Sequence, residues 1–321
     1  MAYTGAKSSV LLGIESSFGE AATLKYRIPF KDESLNHKIE AVRSEALLGI
    51  RGTKAIAPGK EGVEGSIPAE FYPYSTGVLF YLALGKAALV DPDTTPDSGD
   101  EYTKITPIGL TEDLPSATIQ VDHSGQKMHY LGCKVSSLKL SIAVGAIPTV
   151  SVDIVGKQEV AGSATEGTIV NPGDEPFYCK EIKLYTDQFV TTTDLYTSID
   201  LNINNNPDTD DYRLDGTGLR KTIEAGQLEI TGSMDIIFDA SVVSGEYSKF
   251  KNFQDAALGI ELAKASGEKL TIYLPRIRFS EMTHDISGPE KIMFKANFTA
   301  LIPSSEDIIE VCDYTNTTGS Y

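Results

Sequence analysis

The sequence of 321 residues predicts a mainly β protein in which one strand-rich unit occurs twice in tandem. A ribbon of alternating residues recurs 167 positions down the chain, and the segments that follow it recur in the same order. Thr, Ile, Val and Tyr are frequent, runs are short, and turns are rich in Gly, which favours strands over helices.

The ribbon comes first. Residues 54–71 read KAIAPGKEGVEGSIPAEF and residues 221–238 read KTIEAGQLEITGSMDIIF. Aligned without a gap, Lys54, Ile56, Gly59, Gly65, Ser66 and Phe71 meet Lys221, Ile223, Gly226, Gly232, Ser233 and Phe238. In the second copy Leu228, Ile230, Met234, Ile236 and Phe238 alternate with Glu229, Thr231, Ser233 and Asp235. In the first, Val63, Ile67, Ala69 and Phe71 hold one face, with Glu64, Ser66 and Glu70 on the other. Period-two alternation specifies a strand with one buried and one wet face, and a one-residue slip would invert it. Pro68 has no amide hydrogen for a ladder, so the first strand is expected to be an edge or bulged there.

The following elements repeat too. VLFYLAL (78–84), ended by Gly85, is matched by YSKFKNFQDAALG (247–259), in which Tyr247, Phe250, Phe253 and Ala257 share a helical face. ATIQV (117–121) is matched with LTIYL (270–274). The hairpin-like stretch 133–156 is matched with 275–301, each with a Gly and a Pro near its centre. Repetition of order is the mark of tandem duplication. The units are placed at 1–160 and 161–321, divided in the loop-like stretch GKQEVAGSATEGTIVNPGDEPF (156–177).

Composition removes several function classes. Net charge is −17, from 28 basic and 45 acidic side chains, which opposes binding to nucleic acid through phosphates. Residues 1–160 carry −4 of this and residues 161–321 carry −13. No apolar run is long enough for a membrane helix, and the apolar stretch near the N-terminus is too short for a signal peptide. Cys133, Cys179 and Cys312 have no metal-ligand spacing, and their odd count argues against a disulfide framework.

No active site is legible. Asp122, His123 and Ser124 are triad residue types, but neighbours on a strand point to opposite faces. His37, His123, His129 and His284 lack the paired spacing of a zinc helix, although His123 and His129 are close enough to meet across a turn. GTGLRK (216–221) begins like a dinucleotide fingerprint but has Lys221 where the last Gly belongs and leads into a strand. The acidic loops with Asp91, Asp93, Asp97, Asp100 and Glu101, and with Asp208, Asp210, Asp211 and Asp215, do not match the spacing of a calcium loop. No cofactor is expected.

The ordered set of segments resembles the tail tube proteins of long, non-contractile-tailed bacteriophages, in the larger two-module form. It begins with GIESSFGEAATLKYRIPF (13–30), where Glu15 and Gly19 form an E-S-x-x-G opening. It runs through 44–71, 130–157 and 220–238 to KLTIYLPRIRFSEMTHDISGP (269–289). The resemblance implies two tandem tail-tube-type β-sandwich or barrel modules, each with a flanking helix. It also implies a non-enzymatic virion protein, assembled in the bacterial host cytoplasm. Its rings stack around a tape-measure protein, capped by tail terminator and baseplate proteins, and double-stranded DNA passes through without specific binding.

Such rings are six-fold when subunits have one module, so a duplicated chain is expected to form pseudo-hexameric trimers. A trimer would carry 3 × −17 = −51. Glu64, Glu70, Glu229 and Asp235, on the wet faces of the two ribbons, are the candidate lumen acids. Loop 86–115, arm 1–25 and tail 304–321 are candidates for stacking contacts. Related tube-like components (a tail terminator, a baseplate hub, a secretion-system inner tube) share the module. A β-sandwich carbohydrate-binding module is a further alternative, disfavoured because the chain has no Trp and its tyrosines are scattered.

Overall fold

A computed structural model describes residues 4–46, 49, 51–92, 101–109, 111–286 and 288–321. The protein is mainly β. The first half contains β1 (Ser9–Ile14), β2 (Leu24–Ile28), β3 (Asn36–Arg43), β4 (Ile56–Glu70), α1 (Pro73–Leu84), β5 (Gly85–Val90), β6 (Tyr102–Pro107), β7 (Ala117–His123), β8 (Gln126–Ala143), β9 (Thr149–Gly156), β10 (Gln158–Ala161) and β11 (Glu166–Val170). The second contains β12 (Ile182–Tyr185), β13 (Thr192–Thr193), β14 (Tyr196–Asn204), β15 (Glu229–Ile237), α2 (Ala240–Ser244), α3 (Glu246–Lys251), β16 (Ala256–Ala263), β17 (Lys269–Thr283), β18 (Met293–Ala300) and β19 (Glu310–Asp313).

Strand pairing follows one order in both halves. The first antiparallel ladder runs β2–β1–β7–β8–β9–β4–β3. The second runs β13–β12–β16–β17–β18–β15–β14. Even the bulges coincide. β8 carries an extra residue at Ser136 against β9, and β17 carries one at Ser280 against β18. Both strands are irregular again beside β7 and β16. A bulge bends and twists its strand, which lets β8 and β17 pass from one layer of the sandwich to the other.

Two of the sequence matches shift. ATIQV lies in β7, whose place in the second ladder belongs to β16; LTIYL lies in β17, the partner in order of β8. Both are short, largely apolar runs, so their pattern does not distinguish adjacent strands of a ladder. The first part of the ribbon also diverges: residues 56–62 extend β4, whereas 221–228 lie in the irregular connection between β14 and β15. Pro68 faces β9 on one side; on the other, β3 gives way to the segment 29–34, which bonds to β4 through Ser34 N on Ser66 O, Lys31 N on Pro68 O and Glu70 N on Pro29 O, with Phe30 bridging Ala69. The strand is therefore neither an edge nor bulged at Pro68, against expectation: proline is accommodated because the facing segment is irregular and asks no donor of it.

Helix α1 has Pro73 at its first turn and Gly85, at φ 94°, as its left-handed cap. Ten of its residues are buried, which marks a helix enclosed between layers. Its counterpart is two short helices, with Asp239 capping α2 through Ser241 N. The expected helical face is shorter than read: Tyr247 and Phe250 pack on the core, Phe253 turns out at φ 55° after α3 has ended, and Ala257 is already in β16.

The halves share one apolar core. β8 pairs with β14 across them, and β19 inserts between β17 and β6. The long loop 86–115 is thus partly the hairpin β5–β6, and its residues 93–100 and 110 lie outside the described residues.

The E-S-x-x-G opening is a clamp. Glu15 is buried, and its carboxylate accepts from Gly19 N (2.8 Å), Gly132 N (2.9 Å), Ser116 Oγ (2.7 Å) and Thr118 Oγ1 (3.0 Å). Gly19 has φ 80°, which suits glycine. Glu15→Ala would leave two amides and two hydroxyls without that acceptor. Its expected cost is about 3–5 kcal/mol, read as a lower denaturation midpoint, with Glu15→Gln between the two.

The C-terminal tail is built into the fold. Ile309 and Val311 are fully buried, and Tyr321 stacks on Tyr81 and donates to Asp313 Oδ2 at 2.7 Å. Burial raises the Asp313 carboxyl above the usual range. Deleting 304–321 would expose the facing edges of β6 and β17. The expected outcome is loss of the folded subunit, visible as aggregation and a collapsed thermal transition, not a folded monomer that fails to stack.

Candidate channel face and assembly edges

Residues with period-two alternation line up across one continuous antiparallel sheet, β3–β4–β9–β8–β14–β15–β18–β17. Four strands come from each half, and the β8–β14 pairing is the seam. One face is the core: Val63, Ile67, Leu138, Leu140, Val150, Val152, Leu201, Ile203, Ile230, Met234, Ala296 and Phe298 are all buried. The opposite face is small and polar. β4 presents Glu64, Ser66 and Glu70; β9 Ser151 and Asp153; β8 Lys139 and Ser141; β14 Asp200 and Asn202. β15 adds Glu229, Thr231, Ser233 and Asp235, β18 Lys295 and Asn297, and β17 Glu281 and Thr283.

All four sequence-read acids therefore share one face, but they are not equivalent. Glu64 is held from two sides, by Lys38 Nζ at 2.6 Å and Arg220 Nη2 at 3.0 Å. The Lys38 ammonium first, and the Arg220 guanidinium with it, lower the Glu64 carboxyl below its usual range despite partial burial. Glu70, Glu229 and Asp235 have no ion-pair partner among the described residues.

Arg220 is the larger surprise. It is buried, and it donates to Val63 O, Gly156 O and Thr209 O as well as Glu64. It pins the 205–228 connection over β4, helped by Lys60–Asp210 and by the amide of Glu61 on Gly218 O. Nothing in GTGLRK announced that role; Gly62, where a Cβ would meet the guanidinium, is its only local trace. Asp153, Asp200 and Glu281 were also not singled out. Extending the alternation test to the shorter runs of β9, β14 and β17 would have found them.

The other chemical motifs resolve into local structure. Asp122 accepts from Gly125 N in the β7–β8 turn, where Ser124 has φ 61°. His129 stands opposite Gln120, not His123. Asp208, Asp211 and Asp215 accept from neighbouring backbone or side-chain donors, and no group of metal-ligand residues forms among the described residues. Asp93, Asp97 and Asp100 lie outside the described residues. No described helix is long and apolar enough to cross a membrane.

Two strand edges of this sheet are open. β3 pairs only with β4, and from Arg278 to Thr283 β17 pairs only with β18 among the described residues. A β protein with one polar sheet face, a shared core behind it and an unpaired strand at each end of that sheet is suited to joining copies of itself. The profile described as phage tail tube protein matches residues 5–300, and the chain belongs to that family. No curated protein matches it in sequence. Membership places it among structural proteins of the bacteriophage virion, in the tail tube.

Proposed function

We propose that three subunits join edge to edge into a pseudo-hexameric ring, that rings stack into the tail tube, and that the polar face of the eight-stranded sheet lines the channel through which DNA is ejected. The observation that carries this is the matching order of the two ladders, bulges included, with a seam between them and an open edge at either end. On this reading each half is one tube module of the long non-contractile-tail type, and the chain duplicates it.

The orientation follows from bulk. Helices and the second layer lie behind the apolar face, and in a closed ring the thicker side belongs outside, where the circumference is larger. Three copies of eight strands make 24, and at about 4.8 Å per strand they span a circumference of about 115 Å before tilt widens it. Inside, unpaired carboxylates repel a polymer that carries one negative charge per roughly 1.7 Å, so DNA stays hydrated and mobile. Tape-measure, terminator and baseplate proteins are the partners this role requires.

Negative-stain microscopy of the purified protein tests the role. Long tubes support it. Rings that never stack would favour the tail terminator, and a persistent monomer that binds glycans would favour the carbohydrate-binding alternative.

A further inference from the structure

The seam inside the chain specifies the contact between chains. Within the subunit, β8 pairs with β14: Ser137 stands opposite Asn204, Leu138 opposite Ile203, and Lys139 opposite Asn202. In the parallel ladders, β17 holds the place of β8 and β3 holds the place of β14. The correspondence is fixed residue by residue. Ser137 faces Asp153 just past the Ser136 bulge, as Glu281 faces Asn297 just past the Ser280 bulge. Asn204 faces Glu229 on β15, as Lys38 faces Gly62 on β4.

We propose that β17 of one subunit pairs antiparallel with β3 of a second copy, with Glu281 opposite Lys38, Met282 opposite His37 and Thr283 opposite Asn36. This rests on the ring reading above and gives it a register.

Two features of the open edges support it as well. Lys38 and Glu281 are both exposed in the single subunit and have opposite charge; Lys38 already binds Glu64 and Glu281 accepts from Asn297, but an ammonium with three donors and a carboxylate with two oxygens can each take a second, facing partner. Ile39 is 57% exposed and occupies the place of Asn205, whose amide reaches Ala83 O at the end of α1. Just past the end of α3 stands Phe253, 67% exposed. The register brings these two exposed apolar side chains to the same place and removes both from water.

The test is a disulfide across the predicted pair. In Asn36→Cys/Thr283→Cys tubes, mild oxidation is expected to give covalent oligomers in denaturing gels up to the closed ring. The native thiols are not exposed: Cys133 is buried, and Cys179 and Cys312 are half-buried. Wild-type tubes should therefore show no ladder.

Cross-linking by Asn36→Cys alone would mean β3 pairs with β3, and equal cross-linking by His37→Cys/Thr283→Cys would mean another register. Either overturns the inference while tubes seen by microscopy leave the tube reading standing. Failure of wild type to form rings or tubes at all overturns the tube reading, and the inference with it. Charge reversal gives a second arm. Glu281→Lys should slow assembly at least tenfold with the subunit melting transition unchanged, Lys38→Glu should slow it likewise with a transition that is retained but lowered by the lost Glu64 pair, and the double reversal should restore assembly. Folded single variants that assemble at the wild-type rate contradict the pairing.

Discussion

Gly232→Val and Gly65→Val are each expected to abolish assembly by destabilising the subunit itself. The two glycines hold one place in the two ladders: Gly65 stands opposite Ile154 on β9, and Gly232 opposite Phe298 on β18. A Cβ at Gly232 would lie 2.6 Å from Asp200 O and inside contact distance of the Phe298 ring. A Cβ at Gly65 would meet the backbone of Ser34 and sit 2.6 Å from Leu35 Cα. Backbone of an adjacent strand (β14) or of the segment leading into β3 cannot step aside as a flexible side chain can, so the sheet must open. The expected cost is about 3 kcal/mol or more, and a β-branched residue adds to it. Thermal melts of the isolated subunit measure this. Gly5, with nothing within 4 Å of its Cβ position, supplies the control: Gly5→Ala is expected to melt with the wild type. Wild-type stability in either valine variant would mean that the ladders do not pack as closely as described.

Reversing the unpaired acids of the polar face should slow DNA ejection without dissolving the tube. Glu70→Lys, Glu229→Lys and Asp235→Lys, combined, change the face by six charges per subunit, since each replacement is worth two. None of the three side chains has an ion-pair partner among the described residues, so stability should change by less than about 1 kcal/mol for each. Lysines facing DNA would displace its counterions and hold it, and that drag should weaken steeply as salt rises. The expected readout is ejection slowed several-fold at low salt and recovering at high salt. Equal kinetics at all salt concentrations would remove this face from the lumen. Glu64 is left out on structural grounds. Glu64→Lys would set a cation against Lys38 and buried Arg220 and is expected to loosen the 205–228 connection, confusing stability with drag.

The strands that carry the polar face were legible where alternation is long. β4 and β15 are half-buried over their shared length, so period two is plain in 63–71 and 228–238, and all four acids read from it share a face. The end at Gly85 of the apolar run after β4 was legible, because a left-handed cap is local chemistry; that the run is the second half of a helix from Pro73 was not. The partner of β7 was not, because short apolar runs in adjacent strands look alike and the ladder is set by long-range pairing. Arg220 was hidden for the same reason: its acceptors lie 64 and 157 residues away along the chain. The C-terminal tail, polar at its end, read as a candidate for stacking contacts. It is held by buried Ile309 and Val311 and half-buried Tyr321, and the partners of Val311 and Tyr321 include Ile105, Tyr26 and Tyr81 in the first third of the sequence.

A cross-section of purified tubes at a resolution that separates strands measures the number of chains per ring and the facing of the sheet together. Three chains closing a barrel of 24 strands are expected, with Ser66, Asp200 and Glu229 turned to the channel and the helices outside. Six chains per ring, or that polar face on the outer surface, would contradict it.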